Sequence, residues 1–538
     1  MHWIEDSSRE NVAAGRALAL QADAIGDAPF LASGDRRYSY GEANETVNRY
    51  ANSLRALGVE AGDPVAMLMD NSLEFVFTAL GTNKLGAMWV PTNTSYRGEW
   101  LARTFVDGGA KVLVVDESLL DRATDNGLAR RFERVVVNGD PAAIADEAVR
   151  QRAVALADFA EGAGTEVTSS ADAATISSVM WTSGTTGRSK GVMQPYGAWY
   201  AAARIFASAR DLAPGDVLYC CVPLFNSGGW SLNVFQALYS GLSIAIDREF
   251  SVSRFWDRVR RYGATQLLTL GSMHMYLWQR EERDDDADNP ARVAGLLPLP
   301  AEIREAFQKR FGLERIWRGY GQSEIMPLSV STPEREGNPA GDGFPRPDVE
   351  VALLDERGRE VPVGEVGEIC VRPRRPDVMF RGYYNNEEGT AKAWRDGWYH
   401  SNDLGRFDEA GELYFVDRAS DYMRHKGRNI PSLELEELIG RHPAVYEVAA
   451  HGVPSQDLAE EDEVKICVIL REGHELEPEE LIRFINERAP YFMVPRYVEF
   501  VTELPHTPTG RVQKFKLRER GVTPDTWDRE AAGLVLER

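Results

Sequence analysis

The chain has 538 residues, 43% of them hydrophobic, and a formal net charge of −22 at pH 7. That length is too great for one simple core and suggests roughly three or four domains, while the apolar content excludes a disordered chain. The acidic balance excludes a nucleic-acid partner and a basic membrane-facing patch, although a nucleotide senses only its local field. In chain order, the opening Met1-His2-Trp3-Ile4-Glu5-Asp6 has no basic stretch followed by an apolar one, so no signal peptide is expected. No apolar run approaches the ~20 residues of a membrane span. Residues 64–69 read as a buried strand, 73–85 as a helix and 87–90 as a second strand. Residues 216–221, 231–239 and 242–246 repeat that rhythm. Both units open on Gly-Asp, at Gly62-Asp63 and Gly215-Asp216, and both turn at a glycine before the last strand, Gly86 and Gly241. Two similar α/β units, with parallel sheets covered by helices, is the economical arrangement. The acidic run 284–288 is expected to be a solvated surface loop. From 349 to 371 the pattern turns to short alternating strands, a β-rich module. Past a boundary near 417–421 comes a compact domain with a strand at 465–470, a helix at 478–489 and a strand at 497–501. Residues beyond about Gly521 read as a charged tail. Cys220, Cys221, Cys370 and Cys467 lie in strand-like apolar runs without metal-ligand spacing, and read as buried reduced thiols of a cytoplasmic protein.

The most informative stretch lies between strand-like runs at 176–180 and 192–194. It reads Trp181-Thr182-Ser183-Gly184-Thr185-Thr186-Gly187-Arg188-Ser189-Lys190-Gly191. A loop of this composition can turn backbone N–H groups, threonine hydroxyls and an ammonium toward one anion, with glycines permitting the close approach a phosphate needs. It is not a Walker A loop, because Ser189 stands where that pattern requires glycine and a strand rather than a helix follows. The order of residues resembles the phosphate-binding loop of the adenylate-forming superfamily, which comprises acyl-CoA ligases, luciferases and peptide-synthetase adenylation domains. The family usually has proline where this chain has Ser189. The resemblance implies that Thr182, Ser183, Gly184, Thr185, Thr186, Gly187 and Lys190 bind ATP phosphates.

Further blocks recur in the family's order. Tyr320-Gly321-Gln322-Ser323-Glu324 resembles Tyr-Gly-x-Thr-Glu, with serine for threonine. An aromatic face can stack on adenine, a hydroxyl can bond the α-phosphate, and a carboxylate can hold Mg²⁺ through hard oxygen. Tyr320, Gly321 and Ser323 are thus implied in nucleotide binding, and Glu324 as the metal ligand. Trp398-Tyr399-His400-Ser401-Asn402-Asp403 resembles Trp-x-x-Thr-Gly-Asp, whose aspartate accepts the ribose hydroxyls. Asn402 replaces the glycine, and asparagine is among the better substitutes if the position needs a positive φ. Asp417-Arg418 resembles the pair whose arginine also reaches the ribose. His425-Lys426-Gly427-Arg428-Asn429-Ile430, followed by Glu434 and Glu436, resembles the Gly-Gly-Glu-Asn block that lines the CoA channel, which implicates Lys426, Gly427 and Arg428. Leu504-Pro505-His506-Thr507-Pro508-Thr509-Gly510-Arg511-Val512-Gln513-Lys514 resembles Pro-x-Thr-x-x-Gly-Lys, whose lysine bridges the carboxylate and α-phosphate. Here Arg511 takes that place and Lys514 follows three residues later, so Arg511 does the job in adjusted geometry, or Lys514 reaches in, or adenylation is slow. An arginine fork is no simple replacement for an ammonium. Pro223-Leu224-Phe225-Asn226 stands where relatives have Pro-Leu-Phe-His, implying an acyl pocket at Asn226, Gly228, Gly229 and Trp230. The adjacent glycines suggest room for a wide substrate.

Together the blocks imply an α/β protein with a large N-terminal domain of two similar α/β units plus a β-rich module, residues 1–418. A small mobile α+β C-terminal domain, 419–538, would be hinged near Ser420. The implied reaction is that of an AMP-forming acyl-CoA ligase. ATP with Mg²⁺ and a small-molecule carboxylic acid give an acyl-adenylate and pyrophosphate; the C-terminal domain rotates; CoA then takes the acyl group. Phe255-Trp256 before Tyr262-Gly263-Ala264-Thr265, and Pro490-Tyr491-Phe492-Met493-Val494-Pro495, look most like carnitine/crotonobetaine-type and fatty or bulky acyl-CoA ligases, a lipid-metabolic setting. Dimers are common among such enzymes. Loading of a carrier protein, a luciferase-like oxygenase and a degenerate nucleotide-binding protein stay open as alternatives.

Overall fold

A computed structural model describes residues 1–182, 189–419, 421–425, 428–455, 462–507 and 512–536. It divides into two compact units. One holds the described residues up to Glu350 together with Arg372–Gly397; the other holds Val351–Val371 with Trp398 onward.

Two seven-stranded sheets of matching order build the first unit. One runs Ala153–Ala155, Arg134–Asn138, Val112–Asp116, Pro64–Leu68, Met88–Pro91, Ile176–Thr182 and Lys190–Pro195. The other runs Arg315–Trp317, Val293–Leu297, Gln266–Leu270, Val217–Cys220, Ser243–Ile246, Pro29–Ser33 and Arg36–Ser39. In each, the strands are parallel except the last, which closes an antiparallel hairpin. Helices cover both faces, so the central strands are buried on both sides rather than alternating; Val112–Asp116 is buried at every position. Helix starts follow local chemistry. Ser39 and Glu42 form a reciprocal capping box before Tyr40–Ala56, and Ser72 caps Leu73–Lys84. The expected units at 64–90 and 216–246 are present, with one change. The second helix begins at Ser227, not 231, and passes through a π-turn at Trp230–Val234 before Phe235–Ser240. The acidic run is also more than a solvated loop, since Asp286 is buried and paired with Arg310 at 2.6 Å.

The β-rich module, most of whose residues fall in the second unit, pairs Val349–Leu354 with Gly367–Pro373, then Trp398–Phe407 and Leu413–Arg418. A further sheet orders Val445–Pro454, Asp462–Leu470, Tyr497–Phe500 and Trp527–Asp528. Helices Ser432–Gly440 and Pro478–Asn486 bury Leu435, Ile439, Leu481, Ile482 and Ile485 in its core. The expected charged tail is corrected here. Trp527–Asp528 forms an edge strand, and Trp527, Leu534 and Leu536 pack on that core.

Candidate active site

Strands Ile176–Thr182 and Lys190–Pro195 pair up to Thr182 opposite Lys190, the two described residues that flank the phosphate-loop sequence on either side apart from Ser189. Ser183, Gly184, Thr185, Thr186 and Gly187 lie outside the described residues. Ser189 is described, and its hydroxyl lies 3.2 Å from that of Tyr96. The Lys190 ammonium stands 4.7 Å from the centre of the Tyr383 ring, a cation–π geometry. The Tyr383 hydroxyl donates to Glu324 Oε1 at 2.9 Å. Glu324 and Ser323 are the two-residue tip of a second hairpin, between Gly319–Gln322 and Ile325–Val330, which carries Tyr320 and Gly321 on its first strand. That tip is held from both sides: Phe380 N–H donates to Glu324 O at 2.9 Å, and Gln194 Nε2 donates to Ser323 O. Two sequence blocks distant in the chain thus meet through a residue that neither contains. Nothing in the chemistry of Arg381-Gly382-Tyr383-Tyr384 marks Tyr383 in the sequence.

Beside this tip, Ser323 Oγ lies 2.9 Å from Ser227 Oγ, and Ser231 Oγ donates to Ser227 O at 3.1 Å and toward Met326 Sδ at 3.6 Å. Asn226 precedes this helical turn. Trp230 is fully buried. Its indole packs 4.1 Å from Trp89 and 6.0 Å from Phe75, and its N–H donates to Leu224 O at 2.6 Å. Its ring therefore acts on this region through the backbone that it fixes. The paired glycines have different reasons. A Cβ on Gly229 would meet Pro223 O at 3.0 Å, whereas one on Gly228 would meet Leu270 Cδ1 at 3.6 Å and Leu232 Cδ1 at 3.9 Å, both ordinary contacts.

In the second unit, Asp403 and Arg418 are cross-strand partners, with Arg418 Nε 3.9 Å from Asp403 Oδ1. Asp403 is buried. The preceding Asn402 has φ 56°, the left-handed conformation that glycine would adopt freely. Glu368, unmarked by the sequence blocks, braces this turn. Its Oε1 accepts Asn402 N–H at 3.1 Å and its Oε2 lies 2.7 Å from His400 Nδ1. Among the described residues, His400 Nε2 is buried without a partner, so the tautomer protonated at Nδ1 strands no N–H. Cys370 Sγ lies 3.3 Å from the same Nδ1. One donor atom from each of Glu368, Cys370 and His400 falls within 4.8 Å of the others, the one such cluster among the described residues. The carboxylate's two hydrogen bonds explain its place without an ion.

The next hairpin pairs Met423–His425 with Arg428–Ile430. Lys426, Gly427 and the Arg428 side chain lie outside the described residues, as do Ser420 and Arg511. Lys514 is described and buried. Its Nζ is 2.8 Å from Glu436 Oε1 and donates to Ser432 Oγ at 2.5 Å. Burial pushes the Glu436 carboxyl up to about 7, against the lowering effect of Lys514.

Residues 18–384 match the AMP-binding enzyme family, and residues 434–511 match the AMP-binding enzyme C-terminal domain. The chain belongs to the AMP-binding enzyme family. Among the relatives of this AMP-binding enzyme is the crotonobetaine/carnitine–CoA ligase of Salmonella typhimurium (strain LT2). It is 30% identical over 499 residues, which cover 90% of this chain and 93% of that protein. Similar solved structures include ATP-bound MatB from Rhodopseudomonas palustris, with a TM-score of 0.83 at 26% identity over 94% of this chain and 98% of that one. The anthranilate CoA ligase AuaEII in complex with anthranoyl-AMP gives a TM-score of 0.84 at 25% identity over 97% and 98%. This AMP-binding enzyme is of the AMP-forming acyl-CoA ligase type, and its α/β fold is that of the adenylate-forming enzymes. Among the described residues no helix is long and apolar enough to cross a membrane.

Proposed function

We propose that this enzyme activates a small carboxylic acid with ATP as the acyl-adenylate, then transfers the acyl group to CoA. The observation that carries this reading is the line from Lys190 through Tyr383 to Glu324, which joins a phosphate-type cation to a carboxylate beside Ser323. A carboxylate oxygen of the substrate attacks the α-phosphorus and pyrophosphate leaves. The protein's work is to position the acid and neutralise developing phosphate charge. Thr182, Ser183, Gly184, Thr185, Thr186, Gly187 and Lys190 hold the phosphates; Tyr320 and Gly321 face the adenine; Ser323 bonds the α-phosphate; Asp403 and Arg418 take the ribose. Glu324 is the residue that would hold Mg²⁺, whose chemistry is charge neutralisation on the phosphate oxygens. The acid lies along Asn226, Gly228 and Gly229, over the turn fixed by Trp230. In the second step the CoA thiol attacks the acyl carbon, AMP leaves, and Lys426, Gly427 and Arg428 face CoA. The small domain from 419 onward would serve both steps by pivoting near Ser420. Since the Lys514 ammonium is engaged by Glu436 and Ser432, the adenylation charge is assigned to Arg511.

Mass spectrometry of the enzyme with ATP, Mg²⁺ and pooled short, long-chain, aromatic, betaine and steroid side-chain acids, with and without CoA, tests this. A CoA thioester is expected, with Arg511→Met lowering acyl-adenylate formation by about 10²–10³. Acyl-adenylate that never passes to CoA would instead favour a carrier-protein acceptor. ATP binding without either product would sink the reading.

A further inference from the structure

We propose that Lys514 is a positioning residue for adenylation, whose buried ammonium ties Val512 and Gln513, the described residues that follow Arg511 in the chain, to the strand end that precedes Ser420. The inference rests on the proposed function for its kinetic arm only. Arg511 comes just before a closed neck in the chain. His506 and Val512 form a backbone bridge, and Gln513 N–H donates to Pro505 O at 2.6 Å. Helix Lys514–Arg520 begins at once after that neck, so whatever fixes the first turn of this helix fixes Val512 and Gln513, which follow Arg511 in the sequence.

Lys514 fixes it through a relay. Its Nζ donates to Ser432 Oγ at 2.5 Å, and Ser432 donates through both its Oγ and its backbone N–H to Asp417 Oδ2, each at 2.6 Å. Asp417 ends the strand beside Arg418, and its Oδ1 accepts Arg418 N–H at 2.7 Å. Glu436, one turn along from Ser432 on helix Ser432–Gly440, closes the arrangement at 2.8 Å from the Lys514 ammonium, and its own Oε1 accepts Ala450 N–H at 2.6 Å. One turn after Lys514 on the same face, Arg518 pairs with Asp421 at 2.8 Å. The short helix thus grips residues 417 and 421, on either side of Ser420, with two cations. Asp417 and Ser432 are fully buried. Withdrawing Lys514 toward a substrate would strand Glu436 and the Ser432 hydroxyl away from their partner, which is costly in a buried setting. An ammonium so placed sets geometry and does not touch the reacting atoms.

The test uses the full chain with Lys514→Met, Lys514→Arg, Ser432→Ala and Glu436→Gln. Two readouts are taken: ATP–pyrophosphate exchange with the accepted acid, and hydrogen exchange of the peptide spanning 505–518. Lys514→Met is expected to lower kcat of pyrophosphate exchange by about 10²-fold, the scale of a misplaced catalytic group, with KM for ATP unchanged. Ser432→Ala and Glu436→Gln shift kcat the same way, Lys514→Arg recovers part of it, and Lys514→Met with Ser432→Ala is no worse than Lys514→Met alone. Hydrogen exchange in 505–513 rises in each defective variant. Were Lys514 to act on substrate directly, Ser432→Ala and Glu436→Gln would keep wild-type rates. Were it only structural glue, melting temperature would fall while kcat and exchange in 505–513 held below the melt. Either result overturns the lock. If the wild type supports no pyrophosphate exchange with any acid, the functional reading has failed, and hydrogen exchange in Ser432→Ala, the mildest variant, still decides the lock by itself.

Discussion

At Asn402 the backbone is turned into the left-handed region, with φ 56°; its carbonyl accepts Ala419 N–H at 3.0 Å and its own N–H goes to Glu368. The turn aims the next residue, Asp403, across the strand pair toward Arg418. Asparagine tolerates this conformation because its short polar side chain can hydrogen-bond locally and offset the Cβ–carbonyl crowding, which a β-branched residue only worsens. Asn402→Gly should therefore leave ATP binding near wild type. Asn402→Val should cost about 1–2 kcal/mol, or roughly 5–30-fold in the equilibrium that presents Asp403, read as a rise in the dissociation constant for ATP. Equal affinity in both variants would show that the turn does not set the ribose contact. The motif pattern of residues 398–403 made this substitution readable from sequence, since it fixed which position needs the unusual φ. Glu368 and Tyr383 were not readable that way. Each works through contacts to residues far along the chain, Glu368 to His400 and Asn402 and Tyr383 to Glu324 and Lys190, and such partnership leaves no local spacing to detect.

The helical turn that opens at Ser227 and the helix that opens at Ser432 carry two contrasting lessons at the scale of elements. The paired glycines suggested removed bulk and a wide pocket, yet only Gly228 has that freedom. Gly229→Ala would push its Cβ against Pro223 O, 3.0 Å away, so overpacking of about 1–3 kcal/mol is expected as a lower melting temperature. Gly228→Ala meets nothing closer than 3.6 Å and should keep stability while shifting acid preference toward narrower chains. A melting temperature unchanged in Gly229→Ala would refute the crowding argument. Helix Ser432–Gly440 makes the pH-dependent case. Facing Glu436 are Lys514, Asp417 and the Ala450 N–H; His451, held down near 4 by burial, stays neutral beside Lys514. Folding raises the Glu436 carboxyl from 4.5 to about 7, so between those values the folded chain keeps a proton that the unfolded chain releases. The stability this supplies is complete below pH 4.5 and is lost as pH rises through 7. Unfolding titrations of wild type and Glu436→Gln should show their free-energy difference drifting against wild type from pH 5 to 8. A flat difference would remove Glu436 as the titrating group.

Across the whole molecule, sequence rhythm exposed the two strand–helix–strand units at 64–90 and 216–246 because their strands and helices are consecutive. It did not expose that the hairpin of Pro29–Ser33 and Arg36–Ser39 completes the second sheet while Ile176–Thr182 and Lys190–Pro195 complete the first. Both sheets end in the same antiparallel hairpin, but the pairing of Pro29–Ser33 with Ser243–Ile246 spans most of the unit and is set by packing, not local pattern. The C-terminal stretch misled for a related reason. Its composition is charged, yet its contacts are structural. Trp527 and Asp528 pair with Val498 and Tyr497. Arg496 meets Asp528 at 3.2 Å and Glu530 at 3.3 Å. Lys465, fully buried, donates to Gly521 O at 2.6 Å and Thr526 Oγ1 at 3.1 Å as well as to Glu499. Ending the chain after Gly521 would uncover the Trp527, Leu534 and Leu536 contacts on the core and strip a buried ammonium of one acceptor. Transfer and desolvation together make this a loss on the order of 3 kcal/mol, confined to the second unit. Denaturant unfolding should then separate into two steps, while the unit built on the two seven-stranded sheets keeps its midpoint. If the shortened chain unfolds at the full-length midpoint in a single step, the closing segment carries charge and no structure, as its composition alone suggested.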